Sequence, residues 1–222
     1  MQTILSKIES SPIIPVYYHD DIDQCIQILK SCYSGGIRVF EFVNRGPEAF
    51  NNFKQLLNYR DQHFQDLKLG IGTIKTKQQA LDFLDIGAEF IVSPIVKPEI
   101  AEVTLKNNIL WIPGCMTPTE IALAEELGAP LVKLFPGDAL GSNFLKGIKP
   151  LFPSLKFMPT GGVSLEEQNL TEWFQAGVSA VGMGSKLFNA PTEFEESNYI
   201  ENRLRKAFHH IESINKRHKK KL

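Results

Sequence analysis

Leu131-Val132-Lys133-Leu134-Phe135-Pro136-Gly137 is an apolar run that carries one ammonium and stops at a Pro-Gly turn. A short run of this kind reads as a parallel strand buried on both faces. A lone ammonium inside such a strand is costly to keep charged, and burial favours loss of its proton. A neutral lysine amine is a nucleophile toward carbonyl carbon, where it forms a Schiff base. Lys133 is therefore the first candidate catalytic residue, and its strand is the reference for the rest of the chain.

On either side of this segment, short β-rich runs alternate with helical patterns. The strand candidates are Ile13–Tyr18, Ile37–Val43, Lys68–Ile74, Phe90–Pro94, Ile109–Pro113, Leu131–Phe135, Lys156–Pro159 and Ala180–Met183. Helical stretches lie between them, for example Gln78–Ile86, Glu120–Leu127 and Glu166–Ala176. Thr76 with Gln79, Thr117 with Glu120 and Ser164 with Glu167 have the spacing of an N-cap and its partner. Gly87, Gly128 and Gly177 stand where helices end. Eight strands, short connections and no linker predict a single (β/α)8 barrel over residues 12–190, within one domain spanning 1–222. A doubly wound sheet is the alternative, and it lacks a GxGxxG after the first strand. Thr3–Ser10 is expected as an extra helix before the barrel. A C-terminal helix is expected from about residue 192, ending in a basic tail over 216–222.

Composition narrows the function. The chain has 222 residues, 43% hydrophobic and 22% charged, with a net charge of −1. No global basic field favours nucleic acid. The N-terminus has no signal-type apolar core, and no apolar run nears the roughly 18 residues of a membrane span. Three cysteines without metal or disulfide spacing fit a reducing compartment. The expectation is a cytoplasmic protein that binds neither nucleic acid nor membrane. No His/Asp/Glu cluster suggests a metal, and no cofactor is expected.

Alternate residues of a barrel strand face inward. Val39, Glu41, Val43 and Arg45 then share one face, and Leu131, Lys133 and Phe135 share another. Both faces end at the C-terminal rim, where barrel active sites lie. Glu41 reads either as an interior ion-pair partner of Lys133 or Arg45, or as an acid–base group whose environment is tuned by them. Two glycine segments, Pro159-Thr160-Gly161-Gly162-Val163 and Gly182-Met183-Gly184-Ser185, follow the seventh and eighth strands. Those positions form the usual phosphate site of a barrel, where backbone N–H groups are free for an anion.

Taken together these pieces resemble the class I 2-keto-3-deoxy-6-phosphogluconate (KDPG) aldolases, a family shared with 4-hydroxy-2-oxoglutarate (KHG) aldolases. The resemblance rests on GGIRVFEFVNR (35–45), GIGT (70–73), Ser93-Pro94, IPGCMTPTE (112–120), VKLFPGDA (132–139), MPTGGV (158–163) and GMGSKLF (182–188). It implies a Schiff-base lysine at Lys133 and an acid–base glutamate at Glu41. It implies carboxylate recognition by Arg45 and Thr73, with Pro94 and Phe135 lining the pocket. It implies phosphate at Gly161, Gly162 and Ser185, close to Thr160. The implied ligands are a phosphorylated 2-keto acid and pyruvate, and the implied assembly is a homotrimer.

The chain departs from the family pattern after the first strand, where Tyr17-Tyr18-His19 replaces a common basic residue, and at Asn44 before Arg45. These are candidate specificity residues. Lys133-Leu134-Phe135-Pro136-Gly137 also resembles the phosphogalactonate aldolases, which form the alternative substrate class. A phosphate-binding isomerase or epimerase and a non-catalytic sugar-phosphate binder are further readings of the same scaffold.

Overall fold

The computed structural model describes residues 1–189 and 198–219. Eight strands are present: β1 (Ile13–Tyr17), β2 (Val39–Val43), β3 (Lys68–Gly72), β4 (Phe90–Ser93), β5 (Leu110–Cys115), β6 (Leu131–Leu134), β7 (Lys156–Pro159) and β8 (Val181–Met183). They form one parallel sheet in the order β7-β6-β5-β4-β3-β2-β1-β8. A single bridge, Thr160 to Gly182, closes β7 against β8. The result is the expected (β/α)8 barrel.

Among the described residues ten α-helices accompany the strands: α1 (Gln2–Ser10), α2 (Ile22–Ser34), α3 (Ala49–His63), α4 (Lys77–Asp85), α5 (Pro98–Lys106), α6 (Pro118–Glu126), α7 (Gly137–Ile148), α8 (Glu167–Ala176), the one-turn α9 (Ser185–Phe188) and α10 (Tyr199–Lys219). The expected C-terminal helix is thus α10. The part of that call on 190–197, and the tail residues 220–222, lie outside the described residues.

Strand periodicity explains the two cores. In β2, Phe40 and Phe42 pack outward beneath the helices, while Val39 joins an inner layer. That inner layer also holds Phe90, Leu110 and Leu131, each the first residue of its strand, and so fills the N-terminal end of the barrel. Helix α1 inserts Ile4, Leu5 and Ile8 into it. Burying each such side chain stabilises the fold by about 1.5–3 kcal/mol. One end of the barrel interior is therefore plugged with hydrocarbon, and buried Glu41, Lys133 and Thr160 lie toward the other.

The helix signals hold at two of three predicted caps. Thr76 accepts from the Gln79 N–H at 3.2 Å. Thr117 and Glu120 form a reciprocal capping box. Ser164 does not cap α8, which starts after Glu166; the Ser164 N–H donates instead to Asn169 Oδ1 at 2.9 Å. Gly87, Gly128 and Gly177 all take positive φ at helix ends, as anticipated.

Candidate active site

Lys133 points into the barrel because Leu131, two residues before it, belongs to the inner layer, while Val132 and Leu134 pack outward. The same alternation carries Glu41 inward between Phe40 and Phe42. Lys133 Nζ lies 3.4 Å from Glu41 Oε1, and the side chains are 8% and 1% exposed. The Phe135 ring stands beside the amine, its centroid 5.4 Å from Nζ.

This pair is held but under-satisfied. Glu41 Oε2 is buried with no hydrogen-bond partner among the described residues, and so is Thr160 Oγ1. Leaving such an atom unpaired costs about 1–3 kcal/mol. Two glycines make room for them: a Cβ on Gly72 would overlap Glu41 Oε1, and one on Gly182 would overlap Thr160 Oγ1. Sequence reading treated Gly72 and Gly182 only as parts of motifs. Their signal was a glycine inside a strand, which marks close approach of another group.

The remaining predicted residues lie at the C-terminal ends of their strands. Pro94 follows β4, and its carbonyl abuts Gly114, which pairs in register with Lys133. Thr73 follows β3 at φ 61°, a sparsely populated conformation for a β-branched residue. Arg45 follows β2 and is exposed. With Val16, Tyr17, Tyr18, Val43, Ser185, Phe188 and Asn189 it lines a cleft of about 360 Å³. Arg45 and Ser185 thus face one space, on the β1–β2–β8 side of the rim.

Gly161 and Gly162 follow β7 with φ of 97° and 70°. A Cβ on Gly162 would lie 2.9 Å from the Asp138 Cα, and the Gly137 N–H donates to Thr160 O at 2.8 Å, so this loop rests on the start of α7. Lys186 ties the two glycine loops together, donating to Gly162 O at 3.3 Å.

The candidate specificity residues divide. Tyr17 stays on the cleft and meets Phe188 edge-on, with ring centroids 4.8 Å apart. Burial, with help from the nearby Cys25, Asp21 and Cys32, pushes its phenol up to about 12, so it is a neutral hydroxyl. Tyr18 donates its hydroxyl to Asp20 and packs on Gly46. Desolvation first, and then Asp20, pushes its phenol to about 12 as well. His19 Nδ1 accepts from the Asp21 N–H at 3.0 Å, and its carbonyl accepts from Asn52 Nδ2 at 3.1 Å, so it builds the loop. The Asn44 N–H donates to Gly72 O at 3.0 Å.

A buried lysine beside a carboxylate, at the open end of a barrel and below two glycine loops, suits imine chemistry on an anionic keto acid. The family model of the KDPG and KHG aldolases matches residues 4–202. The chain belongs to the KDPG and KHG aldolase family. It is 32% identical over 174 residues to a 2-dehydro-3-deoxy-phosphogluconate aldolase of Treponema pallidum (strain Nichols), covering 78% of this chain and 80% of that one. It is 27% identical over 187 residues to the 2-dehydro-3-deoxy-6-phosphogalactonate aldolase of Escherichia coli (strain K12), covering 84% and 89%. Among solved structures it is similar to the KDPG aldolase of Legionella pneumophila with pyruvate captured as a covalent carbinolamine. The TM-score is 0.75 at 27% identity, over 95% of this chain and 97% of that one. As a member of this aldolase family the chain is a Schiff-base aldehyde-lyase.

Proposed function

We propose that this aldolase reversibly cleaves 2-keto-3-deoxy-6-phosphogluconate to pyruvate and glyceraldehyde 3-phosphate, and 4-hydroxy-2-oxoglutarate to pyruvate and glyoxylate. The observation that carries the reading is the 3.4 Å approach of Lys133 Nζ to Glu41 Oε1 in a buried setting. The galactonate epimer is the second reading, favoured by the likeness to the Escherichia coli phosphogalactonate aldolase and by the Leu134-Phe135-Pro136-Gly137 run.

In this reading the neutral amine of Lys133 attacks the C2 ketone. Glu41 gives and takes the protons that turn the carbinolamine into an imine with loss of water. The protonated imine is the electron sink. Glu41 removes the C4 hydroxyl proton, the C3–C4 bond breaks, and the aldehyde leaves an enamine on Lys133. Protonation at C3 and hydrolysis of the imine release pyruvate and regenerate the amine. Arg45 and Thr73 hold the carboxylate, Pro94 and Phe135 wall the pyruvyl end, and Gly161, Gly162 and Ser185 meet the phosphate near Thr160.

The whole chain, residues 1–222, is proposed as one aldolase domain acting in the cytoplasm as a homotrimer. Three buried free thiols are consistent with that compartment. Leu81, Ile95, Leu105, Met116 and Leu123, on or just before α4 to α6, are exposed apolar side chains available for assembly.

The deciding experiment is borohydride reduction with pyruvate, followed by peptide mass mapping. The expected adduct is on Lys133 and is absent from Lys133→Ala, which also loses aldol turnover while keeping its circular dichroism. An adduct on Lys75, Lys97 or Lys146 would overturn the assignment. Side-by-side rates on the two epimeric phosphorylated keto acids then separate the two substrate readings.

A further inference from the structure

The one-turn helix α9 carries Ser185 to the cleft that also holds Arg45, with Lys186 next to it in the helix. A single turn has almost no intrinsic stability, because its nucleus costs more than its few bonds return. Its last carbonyls also lack partners within the helix. Here they find one on a distant element. Arg203, the fifth residue of α10, donates from Nη1 to Leu187 O at 3.1 Å and from Nη2 to Lys186 O at 3.4 Å. The guanidinium is itself fixed over the Tyr199 ring, 5.0 Å from its centroid. Helix α10 is anchored by Leu204, Ala207, Ile211 and Ile214, all buried. A planar donor fork on a rigid helix therefore sets the direction of the α9 turn, and a cation at a helix C-terminus suits the local dipole.

We propose that Arg203 is a positioning residue for the phosphorylated end of the substrate: it fixes the α9 backbone so that Ser185, and the Lys186 to Gly162 link, stand correctly on the glycine loop. The inference rests on the phosphate reading given above. It adds that α10, which packs against α2 and α8, and not only the loops after β7 and β8, determines how well that end is held. Arg203 has no direct part at Lys133, so the effect belongs to substrates that carry the phosphate.

The test compares wild type, Arg203→Ala, Arg203→Lys and Ser185→Glu on the phosphorylated keto acid and on hydroxyoxoglutarate. Arg203→Ala is expected to raise KM for the phosphorylated substrate about tenfold, with hydroxyoxoglutarate turnover within about twofold of wild type. Arg203→Lys keeps the charge but cannot serve both carbonyls, so it should fall between; it also decides the matter if the alanine variant folds poorly. Equal losses on both substrates, or none on either, overturn the role of Arg203. Ser185→Glu puts a carboxylate in the cleft and should abolish the preference for phosphate. If that preference survives Ser185→Glu, the phosphate site itself is misplaced and the inference falls with it. If Ser185→Glu removes the preference while Arg203→Ala leaves it, only the inference falls.

Discussion

The barrel holds two groups of ionic side chains, one at each end, and they are built differently. At the N-terminal end Arg60, Lys68 and Glu89 are all paired with one another or with their neighbours. Arg60 donates to Leu67 O at 2.9 Å, to Asp61 Oδ1 at 2.6 Å and to Glu89 Oε2. Glu89 also accepts from Lys68 Nζ at 2.6 Å and from the Leu69 N–H at 2.9 Å. At the C-terminal end, Lys133 and Glu41 are more deeply buried yet meet at only 3.4 Å, and one carboxylate oxygen has no partner. The first group ties α3 to the start of β3 and β4. The second leaves bonding capacity that a substrate can take up. Under the proposed function, the well-paired group serves the fold and the under-satisfied one serves chemistry.

The largest expected effect tests the second group. Glu41→Gln keeps the volume and removes the base, so kcat should fall by about 10²–10⁴. Near-native turnover would make Glu41 a structural partner like Glu89.

Arg60→Met tests the first group with the opposite signature. It leaves Leu67 O and a Glu89 oxygen short of a donor, and removing one partner of a buried pair costs about 3 kcal/mol. The urea midpoint should drop while kcat of the folded enzyme stays within about twofold. A kcat that fell with stability intact would reverse the division.

Gly72→Ala probes whether the 3.4 Å separation is set by the backbone. The added methyl would displace the Glu41 carboxylate, the movable end of a side chain. A misplacement of about 1 Å can cost about 100-fold, so kcat should fall 10–100-fold with the imine still trapped by borohydride. Unchanged kinetics would show that Glu41 finds its position without the glycine.

The smallest effect lies outside both groups and calibrates the comparison. The Glu120 carboxylate accepts the Met116 and Thr117 N–H groups at 2.9 and 2.8 Å, which holds its pKa below the usual carboxylate value. A depressed folded-state pKa adds stability that is present above the unfolded value and is lost as pH falls through the folded one. Glu120→Gln should therefore destabilise the protein by under about 1 kcal/mol at neutral pH. The difference in Tm should close as acid protonates Glu120 in the wild type. A gap that stayed constant with pH would assign the effect to packing.

Much of this was legible along the chain. The order of elements follows from period-two runs between helical stretches, and the inward phase of Glu41 and Lys133 follows from counting along β2 and β6. Contacts set by neighbours across the barrel were not legible. The sequence left Lys133 and Arg45 both open as the cation beside Glu41; Arg45 is exposed in the cleft with Ser185, and Lys133 is the partner. Ser164 has the spacing of a cap, but Asn169, five residues on, takes its N–H, and no propensity rule anticipates that competition. Tyr18 and His19 sit at a rim position that invites a specificity role, while Asp20 and Asp21 occupy their polar atoms. Gly72 and Gly182 needed the facing side chains to be seen at all.

Helix α1, described above as a plug, makes the bore blind. Traffic then has one doorway. In the proposed reaction the fragment tethered to Lys133 sits deepest, and the phosphorylated aldehyde lies between it and solvent. Cleavage must release the aldehyde first and pyruvate second, and synthesis must load pyruvate before the aldehyde. The covalent link to Lys133 sets that order, and the hydrocarbon side chains of Ile4, Leu5 and Ile8, which take no part in any bond made or broken, close the other way out.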